Sequence, residues 1–367
     1  MATKRSDRIT IIQVAERAGV STATAGRVLG GYGYASEDIR VRVRQAADEL
    51  DYRPNGLARG LITGKTQTIG VVAADIENSF YARAVRGIAD AVRGRGFGAI
   101  ITNSDESVER EREAVRLLME KQVDGFIVSP AALEGSPHLE EVVASGRPVV
   151  QIDRLSRGLV ADAVTVDNRG AARECVSRLL AAGHRRIAII AELESSTTGG
   201  VAAFIAAPDE QDVAFRHPSW GRLLGYLDAY RAAGIPVDPS LICRVGEYSA
   251  AAARVVSLDV LQGADRPTAL FAGDGTMSAG TMQAIAEAGL RVPDDVSLVC
   301  FDDLDWMSWS AITAVVQPVH EMGVAAAGLV LARLGGDDAP PRHIVLSAQV
   351  VERGSIATPR GNDTDSR

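Results

Sequence analysis

The sequence predicts an N-terminal all-α helix-turn-helix head followed by an α/β core of two doubly wound parallel-sheet subdomains. Three observations carry that reading. Within residues 11–50 three short helical patterns follow one another, the first two split by the Gly-Val-Ser break in "VAERAGVSTATAGRVLG". From residue 67 onward, apolar β-branched runs alternate with amphipathic helical stretches, as parallel sheets covered on both faces require. Charge divides the same way: residues 1–66 hold 11 Lys/Arg against 7 Asp/Glu, and the rest of the chain holds 28 against 40. A basic head on an acidic body is expected to bring only the head to a polyanion.

At 367 residues, 46% hydrophobic and 23% charged, the chain is long enough for two or three packed domains. No apolar run nears the roughly 20 residues of a membrane span, and "MATKRSDRIT" lacks a signal-peptide core, so no membrane partner is expected. Cys175, Cys243 and Cys300 are too widely spaced for a disulfide framework or a metal set, which fits a reducing cytoplasm. His138, His184, His217, His320 and His343 show no ligand spacing and read as surface or packing residues. Neither a metal nor a cofactor is expected.

In the head, Ile11, Val14, Ala15 and Ala18 fall on one helix face. Gly19 suits the left-handed residue that ends this helix, and Ser21 is placed to cap the next. The second helix spans about 22–30 with Ala25, Val28 and Leu29 inward. A third, about 37–50, turns Ile39, Val43, Ala46, Ala47 and Leu50 inward and Arg40, Arg42 and Arg44 outward. Such a unit presents the first turns of its second helix to a major groove, which leaves Ser21, Thr22, Ala23, Thr24 and Arg27 facing DNA.

"ITIIQVAERAGVSTATAGRVL" and "VRQAADELDYRPNGLARGL" resemble the head of LacI/GalR-family transcriptional regulators, and the resemblance extends to about residue 358. It implies a hinge helix over the segment from Arg53 to Leu61, ordered only on specific DNA, with Leu61 wedged between base steps of the minor groove and Ala58 close to the sugar edges. Pro54 suits a helix start, and Gly56 and Gly60 make the isolated helix weak. Thr10, Gln13, Tyr52 and Asn55 join the implied DNA contacts. The chain departs from the family where Ala25-Gly26 replaces Val-Ser, removing a serine that ordinarily touches a phosphate and softening the reading helix by about 1 kcal/mol. Ala23 offers a base only methyl contact, so Arg27 is the leading candidate for a base edge.

In the body, "TIGVVAADI", "FGAIITNSD", "VDGFIVSPA" and "PVVQIDR" alternate with helices, and after about residue 168 the alternation repeats through "RIAIIAEL", "ALFAGD" and "VSLVCFDD". Two similar subdomains with a cleft between them follow, with ligands expected beyond the strand carboxyl ends. Asp75, Asp153, Asp274 and Asp302 each follow an apolar strand, with Asn78, Arg154 and Asp303 nearby; converging carboxylates and an arginine suit a polyol or sugar. The body resembles the periplasmic sugar-binding-protein fold that this family uses to sense small molecules. The resemblance implies effector contacts from Asp153, Asp302 and Arg222, from Asp274 (where Gly273 replaces the usual Asn), and from Phe80, Tyr248 and Gln317.

The expected domains are 1–53 (helix-turn-helix), 54–66 (hinge helix and linker) and 67–358 (effector-binding and dimerisation core). Within the core the N-subdomain takes about 67–166 and 318–345, the C-subdomain about 167–317 and 346–358; residues 359–367 form a disordered tail. Residues 192–219 exceed the family's usual length and read first as a mobile surface loop, with a lid over the cleft as the alternative. One of Trp306 and Trp309 is a candidate for lining the pocket. "GLITGKT" is one residue short of a phosphate loop and precedes a strand, and "RGRGFG" ends a helix instead of opening one, so neither supports an enzyme. The expected function is therefore a regulator, of repressor type, that binds a palindromic DNA operator as a homodimer, joined through helices such as 79–94 and 276–289, and answers to a small-molecule effector, a sugar by first choice. The alternative is a sugar-binding protein or sugar-processing enzyme with no DNA role.

Overall fold

The computed structural model describes residues 9–52, 64–193, 200–206 and 217–360. The chain divides into two compact units, residues 1–68 with 122–124, and the remainder. Of the sites expected from sequence, Asn55, Ala58 and Leu61 of the hinge lie outside the described residues, as do most of the 192–219 insertion and the tail from 361.

The head is three helices: α1 (Ile11–Ala18), α2 (Thr22–Gly30) and α3 (Glu37–Glu49). Gly19 ends α1 in the left-handed region (φ 64°), a conformation in which a Cβ is strained, and Val20 N–H closes the turn onto Ala15 O at 3.0 Å. Ser21 Oγ then accepts the Thr24 N–H at 3.2 Å, capping α2. The core beneath is thin: Val14, Ala15, Ala18, Ala25, Val43, Ala46 and Ala47 are buried, with Ile39, Leu50 and Tyr52 packed at its edge. A pair at 2.5 Å between Arg17 and Glu49 ties α1 to α3. Arg42 and Arg44 are exposed, but Arg40 is half-buried because its Nε donates back to Ala35 O at 3.1 Å.

The body holds two six-stranded sheets. The first lobe contains β1 (Thr68–Ala73), α4 (Ser79–Arg93), β2 (Gly98–Asn103), α5 (Val108–Glu120), β3 (Gly125–Val128), α6 (Pro137–Ala144), β4 (Val149–Ile152) and β5 (Asp162–Val166). The second contains α7 (Asn168–Ala181), β6 (Ile187–Glu192), α8 (Gly200–Ala206), α9 (Pro218–Ala232), β7 (Ile242–Val245), α10 (Ala250–Gln262), β8 (Ala269–Ala272), α11 (Gly275–Glu287), β9 (Ser297–Phe301), α12 (Asp305–Trp309) and β10 (Thr313–Val316). The chain then returns through α13 (Val319–Leu334) to β11 (His343–Leu346) of the first sheet and ends in β12 (Gln349–Val351) of the second. The strand orders, β11-β5-β4-β3-β1-β2 and β12-β10-β9-β8-β6-β7, follow one plan.

One strand breaks the expected all-parallel pattern: β12 runs antiparallel to β10. The reason is geometric. β11 is parallel to β5 and leaves the first sheet at its carboxyl end. Because the carboxyl ends of both sheets face one cleft, the same chain enters the second sheet from that end and must run against its neighbours. The lobes are thus joined by three crossings, at residues 167, 317–318 and 347–348.

Central strands are buried on both faces, for instance Phe126, Ile127 and Val128 in the first sheet and Leu270, Phe271 and Ala272 in the second. Helix pairs approach closely where glycine allows it: a Cβ on Gly225 of α9 would stand 2.7 Å from Arg173 N of α7. The insertion is not only a surface loop. Its α8 sends Phe204 fully into the core, ring centroid 4.6 Å from that of Trp220.

Candidate functional site

On the head, Ser21, Thr22, Thr24 and Arg27 bring polar side chains to the first turns of α2. Ser21, Thr22, Ala23 and Arg27 are exposed and Thr24 half-buried, while Ala25 is fully buried beneath them. Ser21 Oγ and Thr24 Oγ1 lie 2.9 Å apart, and Arg27 Nη2 donates to Thr24 Oγ1 at 3.2 Å, so the guanidinium is steered along the helix before any duplex arrives. At the start of α1, Thr10 N–H and Oγ1 both donate to Gln13 Oε1, at 2.8 and 3.2 Å. Tyr52 packs its ring against the head's core.

In the body, all seven residues expected at an effector line one cavity between the lobes: Phe80, Asp153, Arg222, Tyr248, Asp274, Asp302 and Gln317. Asp153 and Asp302 occupy equivalent places, the first residue after β4 and the first after β9. Both have left-handed backbones, φ 70° and 71°, a strain that Asp tolerates better than most residues and that concentrates at functional sites. Asp153 Oδ2 accepts the Tyr81 hydroxyl at 2.9 Å. Asp302 accepts the Gly275 N–H at 3.0 Å with one oxygen and the Gln317 amide with the other. Asp274 caps α11 through the Met277 N–H at 2.9 Å.

Two guanidiniums face these carboxylates. Arg222 is buried, its guanidinium carbon 4.0 Å over the Phe301 ring, and donates to Asn168 Oδ1 at 2.9 Å and Gly273 O at 2.7 Å. Arg154 donates to Glu106 at 2.6 Å and to His217 Nε2 at 2.9 Å, and its Nε lies 3.6 Å from Asp153. Burial raises Asp274 to about 6 against the pull of Arg222, and burial raises Asp153 likewise. Burial together with the two arginines holds His217 far below the usual histidine value, so it stays neutral and accepts from Arg154. Two buried polar atoms of the cavity lining make no hydrogen bond among the described residues: Arg154 Nε, a donor, and Gln317 Oε1, an acceptor.

Sequence reasoning placed some neighbours wrongly. Asp75 lies outside the cavity because its Oδ1 is taken by the Glu77 N–H at 2.9 Å. Asp303 is turned away by a bidentate pair with Arg353 at 2.9 and 2.8 Å. Neither tryptophan lines the cavity: Trp306 packs at the edge of the second lobe's core, and Trp309 is 79% exposed. Conversely, Tyr81, Glu106 and His217 do line it. His217, read as a surface or packing residue, stands immediately before α9, and no spacing in the sequence connects it to Arg154. The walls nearly touch, since Asn78 Nδ2 reaches across to the Tyr248 hydroxyl at 3.2 Å. About 40 Å³ of free space remains, enough for a few waters and not for a sugar ring. Among the described residues no group of His, Cys, Asp and Glu is arranged to hold a metal, and no helix is long and apolar enough to cross a membrane.

Residues 10–55 match the family described as bacterial regulatory proteins, lacI family; residues 66–213 match periplasmic binding proteins and sugar binding domain of LacI family; residues 176–356 match the periplasmic binding protein-like domain. The HTH-type transcriptional regulator PtxS of Pseudomonas aeruginosa is 32% identical over 359 residues, 96% of this chain and 97% of its own. A LacI family transcriptional regulator from Enterococcus faecium with bound ribose is 26% identical, with a TM-score of 0.66 over 80% of this chain and 100% of that one. The lac repressor dimer bound to operator shares the fold at 24% identity, TM-score 0.78, over 96% and 100% of the two chains. The chain belongs to the LacI family and is a DNA-binding transcriptional regulator.

Proposed function

We infer that the interlobe cavity is the effector site and that its effector is an uncharged polyol, a sugar in the first instance. The observation that carries this reading is the pair of buried atoms without a hydrogen bond, Arg154 Nε and Gln317 Oε1, among four carboxylates and two guanidiniums. Leaving such groups unpaired is costly, and a hydroxyl satisfies both kinds because it accepts and donates. Vicinal hydroxyls also suit Asp153 and Asp302, which face each other from equivalent strand ends. Charge argues against an anion: Glu106, Asp153, Asp274 and Asp302 outnumber Arg154 and Arg222. The ribose bound to the Enterococcus faecium relative is consistent with this class.

Binding requires the lobes to part and close again around the ring. Asn168, which follows one crossing, accepts from Arg222, and Gln317, within another, donates to Asp302. Cavity contacts and lobe angle are therefore linked through the same side chains. We infer further that two copies form a homodimer on a palindromic operator, since one head with a single reading helix makes too few contacts for tight specific binding.

A thermal-shift panel tests it. Neutral aldoses and polyols should include a stabilising ligand, while the matching sugar acids and sugar phosphates should give no shift at the same concentration. An acid that stabilises more than its neutral parent would overturn the polyol reading.

A further inference from the structure

The exposed side of α2 carries glycine where side chains would be expected, and one aromatic residue covers the gap. Tyr32 folds back from the loop after α2 so that its ring lies on Gly30; a Cβ there would stand 2.6 Å from the ring's Cδ1 and nearer still to Cε1. Its hydroxyl reaches Gly26, 3.5 Å from the place of a Cβ, where Ile11 Cδ1 of α1 also approaches, at 3.6 Å. The fold-back is built into the backbone: Gly31 is left-handed (φ 71°), and the Tyr32 N–H donates to Arg27 O at 3.1 Å. Gly33 in turn lies against the stem of Arg27, with 3.1 Å from its Cβ position to Arg27 Cδ. The ring of Tyr32 thus packs where Gly26 and Gly30 leave the helix bare.

Two facts give the tyrosine more than a packing role. It is half-buried, and its hydroxyl makes no hydrogen bond to any described residue. Its place is also informative. Gly26 and Gly30 form a ridge one turn apart beside the reading ridge of Ala23 and Arg27, on the side toward Ile11. In helix-turn-helix docking the second helix enters the major groove while the first crosses the sugar-phosphate backbone. A hydroxyl held between them faces phosphate, and tyrosine is among the side chains that make such contacts.

We propose that Tyr32 is a DNA-positioning residue whose O–H donates to a backbone phosphate at each half-site, with Gly26 and Gly30 left bare so that its ring can seat. The proposal rests on the head being the DNA-reading unit. The probe is a palindromic duplex enriched from a randomised library by the full-length wild-type chain. Tyr32→Phe keeps the ring and removes only the O–H. It should weaken binding about tenfold, equally on single-base variants of the duplex, with an unchanged salt slope and an unchanged thermal midpoint. Gly30→Ala, a better helix former, should also lose affinity because it unseats the ring. A methylphosphonate at the contacted phosphate should weaken the wild type and leave Tyr32→Phe indifferent. Wild-type affinity in Tyr32→Phe, or full sensitivity of that variant to methylphosphonate at every position, would overturn the assignment while the regulator reading stands. If no duplex is enriched, the regulator reading itself falls, and this proposal with it.

Discussion

The reading face of the head and the cavity of the body are both polar, and they are built in opposite ways. On the head, Ser21, Thr22 and Arg27 are exposed and already solvated, bonded only to near neighbours on the same helix. In the body, Arg222 and Asp274 are buried, and Arg222 is held by Asn168 and Gly273, some fifty residues away along the chain. Exposed groups exchange water for partner at small net gain, so a reading face works by summing many contacts. Buried charges are few and costly to leave alone, so each is decisive.

Substitutions should expose that contrast, and the largest effect belongs to the cavity. Arg222→Ala removes the charge that faces Asp274 and Asp302, and should abolish the thermal shift given by effector, a loss of at least about 3 kcal/mol in binding. The DNA affinity of the unliganded variant should stay within about twofold of wild type; a comparable loss of DNA binding would erase the distinction between the two regions. Arg222→Lys should not rescue, because a lysine has no planar fork to stack on Phe301.

The pH response comes next, and it too should be confined to the body. Asp274, raised by burial to about 6 from 3.8, keeps its proton longer folded than unfolded. Between pH 4 and 6 the folded state therefore holds more protons, and stability falls as pH rises through that window, by about 3 kcal/mol at full extent. Denaturant melts at pH 4, 5, 6 and 7.5 should show the fall in the wild type and a flatter profile in Asp274→Asn, whose amide oxygen can still cap α11. Effector affinity should move the other way, weakening below pH 6 as a carboxylate acceptor is lost.

Smaller effects separate packing from reading. Gly225→Ala forces a Cβ against the backbone of α7 and should lower body stability by about 2 kcal/mol, seen in the thermal midpoint, with the head's operator preference intact. Ser21→Ala removes the cap of α2 and should cost the head about 1 kcal/mol, detectable as faster hydrogen exchange in residues 21–24 and no change in the body.

What was legible in the sequence follows from the range over which each signal acts. The head could be read because its signals are local: Gly19, Ser21 and the apolar spacing lie within ten residues of one another. Asp153, Asp274 and Asp302 could be read because a parallel strand announces its own carboxyl end. Asp303 and Asp75 look the same in sequence and differ only by partners, Arg353 and a backbone N–H, that folding supplies. β5, β10, β11 and β12 were missed as elements, since short strands of three to five residues carry little periodicity. Glu106 joins the cavity only when the first sheet brings β2's loop to Arg154, and His217 only when the second lobe brings the start of α9 there.

Operator affinity measured with and without a cavity ligand joins the two regions in one experiment. The full-length chain would be titrated onto the enriched palindromic duplex, alone and with a saturating amount of whichever neutral sugar gives the greatest thermal shift. The dissociation constant should move at least about fivefold in one direction, and the movement should vanish in Arg222→Ala. A ligand that binds the cavity in an Arg222-dependent way yet leaves the dissociation constant unmoved would contradict control of the head by the body.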